Sequence, residues 1–501
     1  MEVAPKLLAR FIILIKKLNR KEKIIAISFL FLAFLNLAYI LISPLLDGDQ
    51  PQRGGTFKEG IIGSPRFLNP VLSPGNDADS DITQILFASL SKDLADEIKI
   101  SPDKKSYNLI LKDNLEWHDG EKITADDVIF TIRAIQDPSY QSPLRFNFQG
   151  VGIEKIDDRQ VKFTLKDIYA PFASTLDIGI LPKHIWQNID SGSFALAQAN
   201  INPVGNGPFE FENLKKDRQG KIESIKLKSF QKQSFIEKLE FIFYDSKEAL
   251  LSAFLKDEVD AMSYIPPADV AKLDKDAKLY KIEIPRYFAL FFNTEKLDQN
   301  TRLTLSGSID KNEIIKEVLN GYGKKFGSDS QSAKIPITKT VTIATTDWPE
   351  LQKTAQIIKN QWQEAGINSE IKIIKNGAIQ QEAIRDRDYE ILLFGEILGL
   401  DPDPFAFWHS SQKKHPGLNL SLYDSVKTDR LLVEARQEFD LKKREEKYRE
   451  FYFLLAQDAP AAFLYNPDYL YVTNNKIKGI NLERLSLPSQ RFSNIENWYI
   501  K

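Results

Sequence analysis

The sequence of 501 residues contains no cysteine. This absence excludes disulfide bonds, thiolate metal sites and a cysteine nucleophile, together with the lipid-modified cysteine that anchors many exported bacterial proteins. The sequence also has no Gly-x-Ser-x-Gly, no His-Glu-x-x-His and no phosphate-binding P-loop, so it lacks the short motifs of common hydrolases and NTPases. We therefore predict a protein that is not an enzyme and needs no cofactor. An envelope hydrolase with dispersed catalytic residues is the alternative.

Charge is divided unevenly along the chain. Beyond residue 46 the chain carries 60 of the 67 basic and 67 of the 69 acidic residues, a net charge of −7. A mildly acidic body is a poor nucleic-acid ligand, because such binding depends on neutralising phosphates. Residues 1–46 hold only two acidic residues, and their basic residues are Lys6, Arg10, Lys16, Lys17, Arg20, Lys21 and Lys23.

Residues 24–42 form the one long apolar run, nineteen residues without a charge. As a helix this run is roughly 28 Å long, close to the hydrocarbon thickness of a bilayer. Basic residues precede it and Asp47 and Asp49 follow, which predicts a body outside the cytoplasm. We expect residues 1–23 to be a cytoplasmic basic, amphipathic segment, residues 24–42 a single-pass membrane anchor and residues 43–55 a linker. A cleaved signal peptide is the alternative, although residues 43–46 (SPLL) offer no good cleavage site.

Residues 202–209 (NPVGNGPF) combine two prolines and two glycines. Proline biases the preceding residue away from helix, and glycine allows a close backbone approach. Because alternating apolar residues begin at Phe209, the stretch predicts a tight joint at which the chain enters a sheet. An ordinary surface loop is the alternative.

Residues 107–136 read as strand, turn and helix. The strand is predicted at residues 107–111 and the turn at residues 117–120, and Thr124 with Asp127 has the spacing of a capping box. A helix follows whose buried face contains Val128, Ile129, Ile132 and Ile135. A lone histidine in such a turn, His118, is more typical of a structural residue than of a catalytic base.

The remaining elements follow from hydrophobic periodicity and end signals. We predict strands at residues 56–62, 161–165, 225–227, 239–244, 341–345, 367–374 and 389–394. We predict helices at residues 81–90, 349–365, 425–439 and 441–458, with a loop at residues 181–184.

Several spaced motifs resemble one family, the bacterial extracellular solute-binding proteins of family 5, which are oligopeptide and dipeptide receptors of ABC importers. The resemblance covers the chain from about residue 53 to the C-terminus. The matching segments are RGGT at 53–56, LNP at 68–70, residues 117–128, NPVGNGPF at 202–209, DEVD at 257–260, FN at 292–293, residues 302–310, and DP at 401–402 with Phe405.

The resemblance implies an α/β, two-lobed periplasmic-binding-protein fold of type II with three domains, preceded by the transmembrane helix. Domain I would comprise residues 56–90, 203–290 and 467–501, domain II residues 91–202, and domain III, the opposite lobe, residues 291–466. Two aromatic-rich strands would join the lobes. Their hinge residues would be Phe291, Phe292, Asn293, Tyr465 and Asn466.

The resemblance also implies a ligand site, with a cleft between residues 107–128 and 341–398. In the family an aspartate pairs with the α-ammonium of a bound peptide, and Leu398 stands at that position here. Glu396 would supply the charge instead, unless it is a solvated loop residue. The expected ligand-binding residues are Tyr287, Phe394, Gly395, Glu396, Ile397 and Leu398.

The expected partners are a small-molecule ligand, most simply a peptide, and an ABC transporter permease. The membrane would be contacted through the N-terminal helix, and a monomer with no nucleic-acid ligand is expected. A sensor or assembly factor on the same fold, without a permease, is the alternative. No metal site is predicted: His409 and His415 are only a weak pattern, and Asp401 and Asp403 lack the rest of a calcium loop.

Overall fold

The computed structural model describes residues 51–327, 335–399, 401, 403–482 and 485–501, together with Asn19, Glu22, Ser28, Phe31 and Leu32. The chain forms two compact units, Met1–Gln52 and Arg53–Lys501, and the sheets described below belong to the second. The predicted anchor at residues 24–42 lies almost wholly outside the described residues. Within the described part of the chain, no helix has the length and apolarity that crossing a bilayer requires.

The strands of the described chain are numbered along the sequence. They are β1 (Thr56–Ile62), β2 (Ala95–Ile100), β3 (Ser106–Leu111), β4 (Gly152–Lys155), β5 (Gln160–Thr164), β6 (Phe209–Lys216), β7 (Ile222–Ser229), β8 (Lys238–Tyr244), β9 (Ala261–Met262), β10 (Ala277–Ile282), β11 (Arg286–Phe292), β12 (Gly323–Lys325), β13 (Val341–Thr346), β14 (Ser369–Ile374), β15 (Ile391–Ile397), β16 (Ala461–Pro467), β17 (Tyr469–Asn474), β18 (Ile477–Lys478) and β19 (Tyr499–Ile500).

The α-helices of the described chain vary from one to five turns. They are Asp77–Leu86, Ala125–Gln136, Arg145–Phe148, Phe172–Thr175, Lys183–Trp186, Lys247–Leu255, Gln299–Gly307, Lys311–Leu319, Pro349–Glu364, Phe405–Trp408, Val426–Gln437 and Leu441–Asp458.

Three sheets organise the second unit. The first has the order β10-β17-β9-β1-β8-β7-β6, in which β1 runs parallel to β8 and β9. The second has the order β12-β16-β11-β15-β13-β14, in which β13 runs parallel to β14 and β15. The third, β2-β3-β5-β4, is antiparallel throughout. Helices cover the parallel strands, so the architecture is of the α/β type.

The chain passes between the first and second sheets at two points. β10 ends in the first sheet and β11 begins in the second, and β16 ends in the second sheet and β17 begins in the first. The passages are therefore residues 283–285 and Asp468. The boundaries predicted at residues 290/291 and 466/467 fall inside β11 and β16 instead. The strand ends suggest limits at the two passages, and the division into domains stays a prediction.

The joint at residues 202–209 is confirmed, because β6 begins at Phe209. A Cβ atom on Gly205 would lie 2.0 Å from the Leu86 carbonyl oxygen, and one on Gly207 would lie 2.1 Å from the Ile85 carbonyl oxygen. The Gly207 N–H donates to the Leu86 carbonyl at 2.8 Å. The glycines thus let the joint lie directly on the end of the helix Asp77–Leu86.

The predicted strands and most predicted helices are present, and two local predictions were wrong. The helix predicted at residues 81–90 is Asp77–Leu86, because the Asn76 side chain accepts the Ala78 and Asp79 N–H groups and starts it earlier. The loop predicted at residues 181–184 contains the start of the short helix Lys183–Trp186. The capping box of Thr124 and Asp127 is confirmed.

A buried ion cluster ties the C-terminal segment to the first sheet. The fully buried Arg491 guanidinium contacts Asp81 through two bonds of 2.7 and 2.6 Å and Glu59 through one of 2.9 Å. The Tyr471 hydroxyl donates to the other Glu59 oxygen at 2.9 Å. Two carboxyls share one guanidinium here, and burial raises the pKa of Glu59 to about 7.

Candidate functional site

A cavity of about 460 Å³ opens at one edge of the second sheet. It lies where the parallel strands β13 and β15 end and β11 begins, beside the start of the helix Pro349–Glu364. Ligands of open α/β sheets bind at the carboxyl ends of the parallel strands. Its lining residues are Arg286, Tyr287, Phe288, Thr346, Asp347, Trp348, Pro349, Leu351, Asn376, Phe394, Gly395, Glu396 and Ile397.

Most of the residues predicted for ligand binding meet at this cavity. Tyr287 and four consecutive residues of β15, Phe394 to Ile397, are in its wall. Leu398 is not, and its N–H donates to the Pro285 carbonyl at 2.8 Å. The assignment of these residues to a ligand stays a prediction.

Glu396 and Tyr287 form a pair within the sheet rather than a free charge. They are direct cross-strand partners on β15 and β11, both are buried, and the Tyr287 hydroxyl donates to Glu396 Oε2. The Tyr287 ring stacks on Phe326 with centroids 4.6 Å apart. Burial among apolar groups raises the pKa of Glu396 well above its ordinary value. The shift favours the neutral carboxyl, whereas pairing with an ammonium group would need it ionised.

The wall of the cavity is flat and aromatic. A Cβ on Gly395 would lie 2.7 Å from the Phe288 ring, which crosses it from the neighbouring strand. Trp348 is 45% exposed at the mouth and meets Phe288 edge-on with centroids 6.1 Å apart. Ile397 is exposed there as well. These apolar surfaces suit an apolar group of a ligand.

Arg286 was missed by the sequence reasoning. It begins β11 at the passage between the sheets, and its Nη2 donates to the Pro467 carbonyl at 3.3 Å. The side chain is half-buried, and burial lowers its pKa from the ordinary value. An arginine ahead of an apolar strand is a common pattern, so no sequence signal marked it.

The predicted hinge residues differ in how close they lie to the passages between the sheets. Phe291 and Phe292 are buried in β11, with β15 on one side and β16 on the other, and Asn293 donates to the Tyr389 carbonyl at 3.1 Å. Pairing with both neighbouring strands restrains backbone rotation at these residues, and their assignment as hinges stays a prediction. Tyr465 and Asn466 lie within three residues of the passage at Asp468.

The wall predicted at residues 107–128 does not line this cavity. The turn at residues 117–120 is instead hydrogen-bonded to the joint at residues 202–209. Gly205 N–H donates to His118 Nδ1 at 3.2 Å, and His118 Nε2 lies 3.0 Å from the Gly207 carbonyl oxygen. Burial lowers the pKa of His118, so the ring is a neutral structural group, as the lone histidine predicted.

A different segment of the predicted domain II contacts a segment of the predicted domain III. The Arg436 guanidinium lies between the rings of Tyr169 and Phe405, at 4.8 and 4.1 Å from their centroids. Its Nε is 2.8 Å from Asp403 Oδ2, and the Ala170 N–H donates to the Arg436 carbonyl at 2.7 Å. This contact joins the two segments at a site away from the cavity.

The acidic residues near residue 401 are engaged by arginine. Asp401 Oδ1 lies 3.2 Å from Arg444 Nη2, and Asp403 pairs with Arg436 as above. His409 stacks on the Phe405 ring at 4.1 Å. Among the described residues, no group of three metal-ligating side chains could hold a metal ion.

Comparison with known proteins supports the family that the motifs resemble. A model of "Bacterial extracellular solute-binding proteins, family 5 Middle" matches residues 89–331. The oligopeptide-binding protein AppA of Bacillus subtilis is 24% identical over 510 residues, which cover 90% of this chain and 92% of AppA. The chain is therefore similar to the family 5 extracellular solute-binding proteins over most of its length. The resemblance stated from the motifs is thereby confirmed.

Solved structures of solute-binding proteins share the fold. The substrate-binding protein CtaP of Listeria monocytogenes superposes with a TM-score of 0.79 at 24% identity, covering 90% of this chain and all of CtaP. The structure of Bacillus subtilis AppA with a nonapeptide has a TM-score of 0.72 at 23% identity, with 90% of this chain and all of AppA covered. The predicted α/β periplasmic-binding-protein fold is confirmed. In sequence and in fold the chain resembles solute-binding receptors, as the motifs predicted.

Proposed function

We propose that this protein is a family 5 receptor that captures a peptide outside the cytoplasm and delivers it to the permease of an ABC importer. The observation that carries the proposal is the aromatic cavity at the strand ends, beside both passages between the sheets. Relatives named for peptide binding, such as AppA, support the choice of ligand. The ligand would contact Tyr287 and the β15 segment Phe394, Gly395, Glu396 and Ile397.

Each of the three sheets would be the core of one domain. The seven-stranded sheet would lie in domain I, the four-stranded sheet in domain II and the six-stranded sheet in the opposite lobe. The lobes would close about residues 283–285 and Asp468, because irregular residues between strands absorb backbone rotation. A ligand would favour the closed form by its preference for that form, and moving a population from 1:99 to 99:1 needs about 5.5 kcal/mol.

The experiment is to identify what the full-length protein carries. Mass spectrometry of small molecules retained through purification names the ligand class, and calorimetry with the recovered peptide measures affinity. We expect stoichiometric binding without turnover, and compaction in small-angle scattering when the peptide is added. A retained compound that is not a peptide contradicts the peptide assignment. An unchanged radius of gyration with bound peptide contradicts hinge closure.

The location of the body is part of the same proposal. Residues 24–42 would anchor a monomer in the cell membrane as a single-pass helix, with the N-terminus inside. The mature N-terminus should then precede Ile24, and a terminus near Asp47 would indicate cleavage instead. A permease gene beside the receptor gene would favour transport over a sensor or assembly role on the same fold.

A further inference from the structure

A half-buried cation without a counter-charge lines the cavity. Among the described residues, no carboxylate forms an ion pair with Arg286. Its Nη2 donates a hydrogen bond to the Pro467 carbonyl. The Nε atom is shielded from solvent and has no hydrogen-bond partner. Withdrawing a charge from water costs several kcal/mol unless a partner compensates. Arg286 is thus partly withdrawn from water at the edge of a cavity that is otherwise largely apolar.

The carboxyl groups around the cavity are already engaged. Glu350 lies 3.7 Å from Lys247, and Glu396 is bonded to Tyr287. Asp347 is exposed and accepts the Asn376 N–H at 2.8 Å. Asp77 and Asp468 act on Arg286 only as minor contributions at longer range. Among the described residues that line the cavity, Arg286 is thus the one cation, and none of these carboxyl groups pairs with it.

The geometry points to Arg286 as the group that binds a carboxylate of the ligand. The inference rests on the proposed function and specifies its ligand. A guanidinium presents paired donors that match a carboxylate. The sixteen-residue helix Pro349–Glu364 begins at the same cavity, and its N-terminal partial charge adds to the attraction. The surfaces of Phe288, Trp348 and Ile397 would take an apolar side chain beside the carboxylate.

The competing explanation is structural: Arg286 would merely fasten β11 to the end of β16 through Pro467. The two roles differ in what a neutral substitution does. If Arg286 only fastens strands, Arg286→Gln weakens every ligand alike. If it binds a carboxylate, the loss is confined to ligands that carry one. Because the uncompensated cation disappears, the empty Arg286→Gln protein should melt no lower than the wild type.

The test offers the full-length protein three tetrapeptide libraries. One has a free C-terminus and no acidic side chain, one is amidated with a single Asp or Glu, and one is amidated without any acidic residue. Retained peptides are identified by mass spectrometry, and the best binders are measured by calorimetry. The first two libraries distinguish a C-terminal carboxylate from a side-chain carboxylate. We expect the third to bind ~10- to 100-fold more weakly than the preferred one.

Variants separate the outcomes. Arg286→Gln should lose ~10- to 100-fold affinity for carboxylate peptides and less than about threefold for neutral ones, and Arg286→Lys should be intermediate. Lys375→Gln removes an exposed cation beside Asn376 and should bind like the wild type. If Arg286→Gln does not fold, the Arg286→Lys affinities decide.

Equal retention of all three libraries, or equal losses for acidic and neutral peptides in the variant, overturns the role of Arg286 and leaves the peptide receptor standing. If no library is retained, the proposed function fails, and the inference fails with it.

Discussion

Replacing Glu59 by glutamine should flatten part of the pH dependence of this protein's stability. Glu59 and Asp81 face the single buried guanidinium of Arg491, and Tyr471 donates to Glu59. Burial raises the pKa of Glu59 in the folded chain from 4.5 to about 7, against the opposing attraction of Arg491. Glutamine has nearly the same shape and stays neutral at every pH.

The sign and size of the pH dependence follow from the linkage between proton binding and folding. A carboxyl whose folded pKa lies above its unfolded pKa favours folding fully below about pH 4.5, and this contribution is lost as the pH rises through 7. For these two values the loss between pH 5 and pH 8 is about 2.5 kcal/mol. Glu59→Gln removes this dependence, while exchange of one hydrogen-bonding group costs about 1 kcal/mol at all pH values.

The assay is urea denaturation of wild type and variant at pH 5 and pH 8. The free-energy difference between them should shift by about 2.5 kcal/mol in favour of Glu59→Gln at the higher pH. Glu97→Gln is the control, since Glu97 is exposed and 3.0 Å from Lys99 at the surface. A difference that is the same at both pH values would refute the reasoning, because it would mean that Glu59 is ionised in the folded protein throughout.

Three further substitutions test the joint and the cavity. Gly207→Ala should lower the free energy of unfolding by about 2–3 kcal/mol in thermal or urea denaturation, because the new Cβ would lie 2.1 Å from the Ile85 carbonyl oxygen. Gly377→Ala is the control, since a Cβ there meets open space and the free energy of unfolding should not change in this way. Glu396→Gln replaces a carboxyl whose neutral form burial favours by a group that is always neutral, so calorimetry should show less than about a threefold change in affinity for a cationic peptide. A larger loss would mean that the carboxyl is ionised in the complex. Trp348→Ala should weaken ligand binding by ~10-fold or more and leave the melting temperature nearly unchanged, because the ring is exposed.

Local chemistry made the N-terminal half of the body predictable. The Thr124–Asp127 capping box, the joint at residues 202–209 and the alternation from Phe209 were predicted from local residue types, and all three are present. The helix at Asp77–Leu86 was displaced because its cap, Asn76, lies before a polar first turn. Because the prediction used apolar periodicity alone, it placed the start of the helix at residue 81, four residues too late.

The site was less predictable because β11 is buried on both faces. Tyr287, Ala289 and Phe291 contribute to one core, and Leu290 and Phe292 to the other. Such a strand has no polar alternation, so the sequence cannot show which residue faces which neighbour. The pairing of Tyr287 with Glu396 depends on that register.

The same register explains why charge at the cavity comes from a different strand than expected. A charged residue on β15 must either reach solvent or find a partner, and Glu396 accepts a hydrogen bond from Tyr287, while burial raises its pKa well above the ordinary value. Leu398 is apolar, and its N–H donates to the Pro285 carbonyl. The strand that carries the family's ammonium partner therefore offers no free carboxylate to the cavity here. Arg286, opposite Ile397 on β11, presents a positive one. If the ligand is a peptide, its affinity should depend on a carboxylate more than on its amino group.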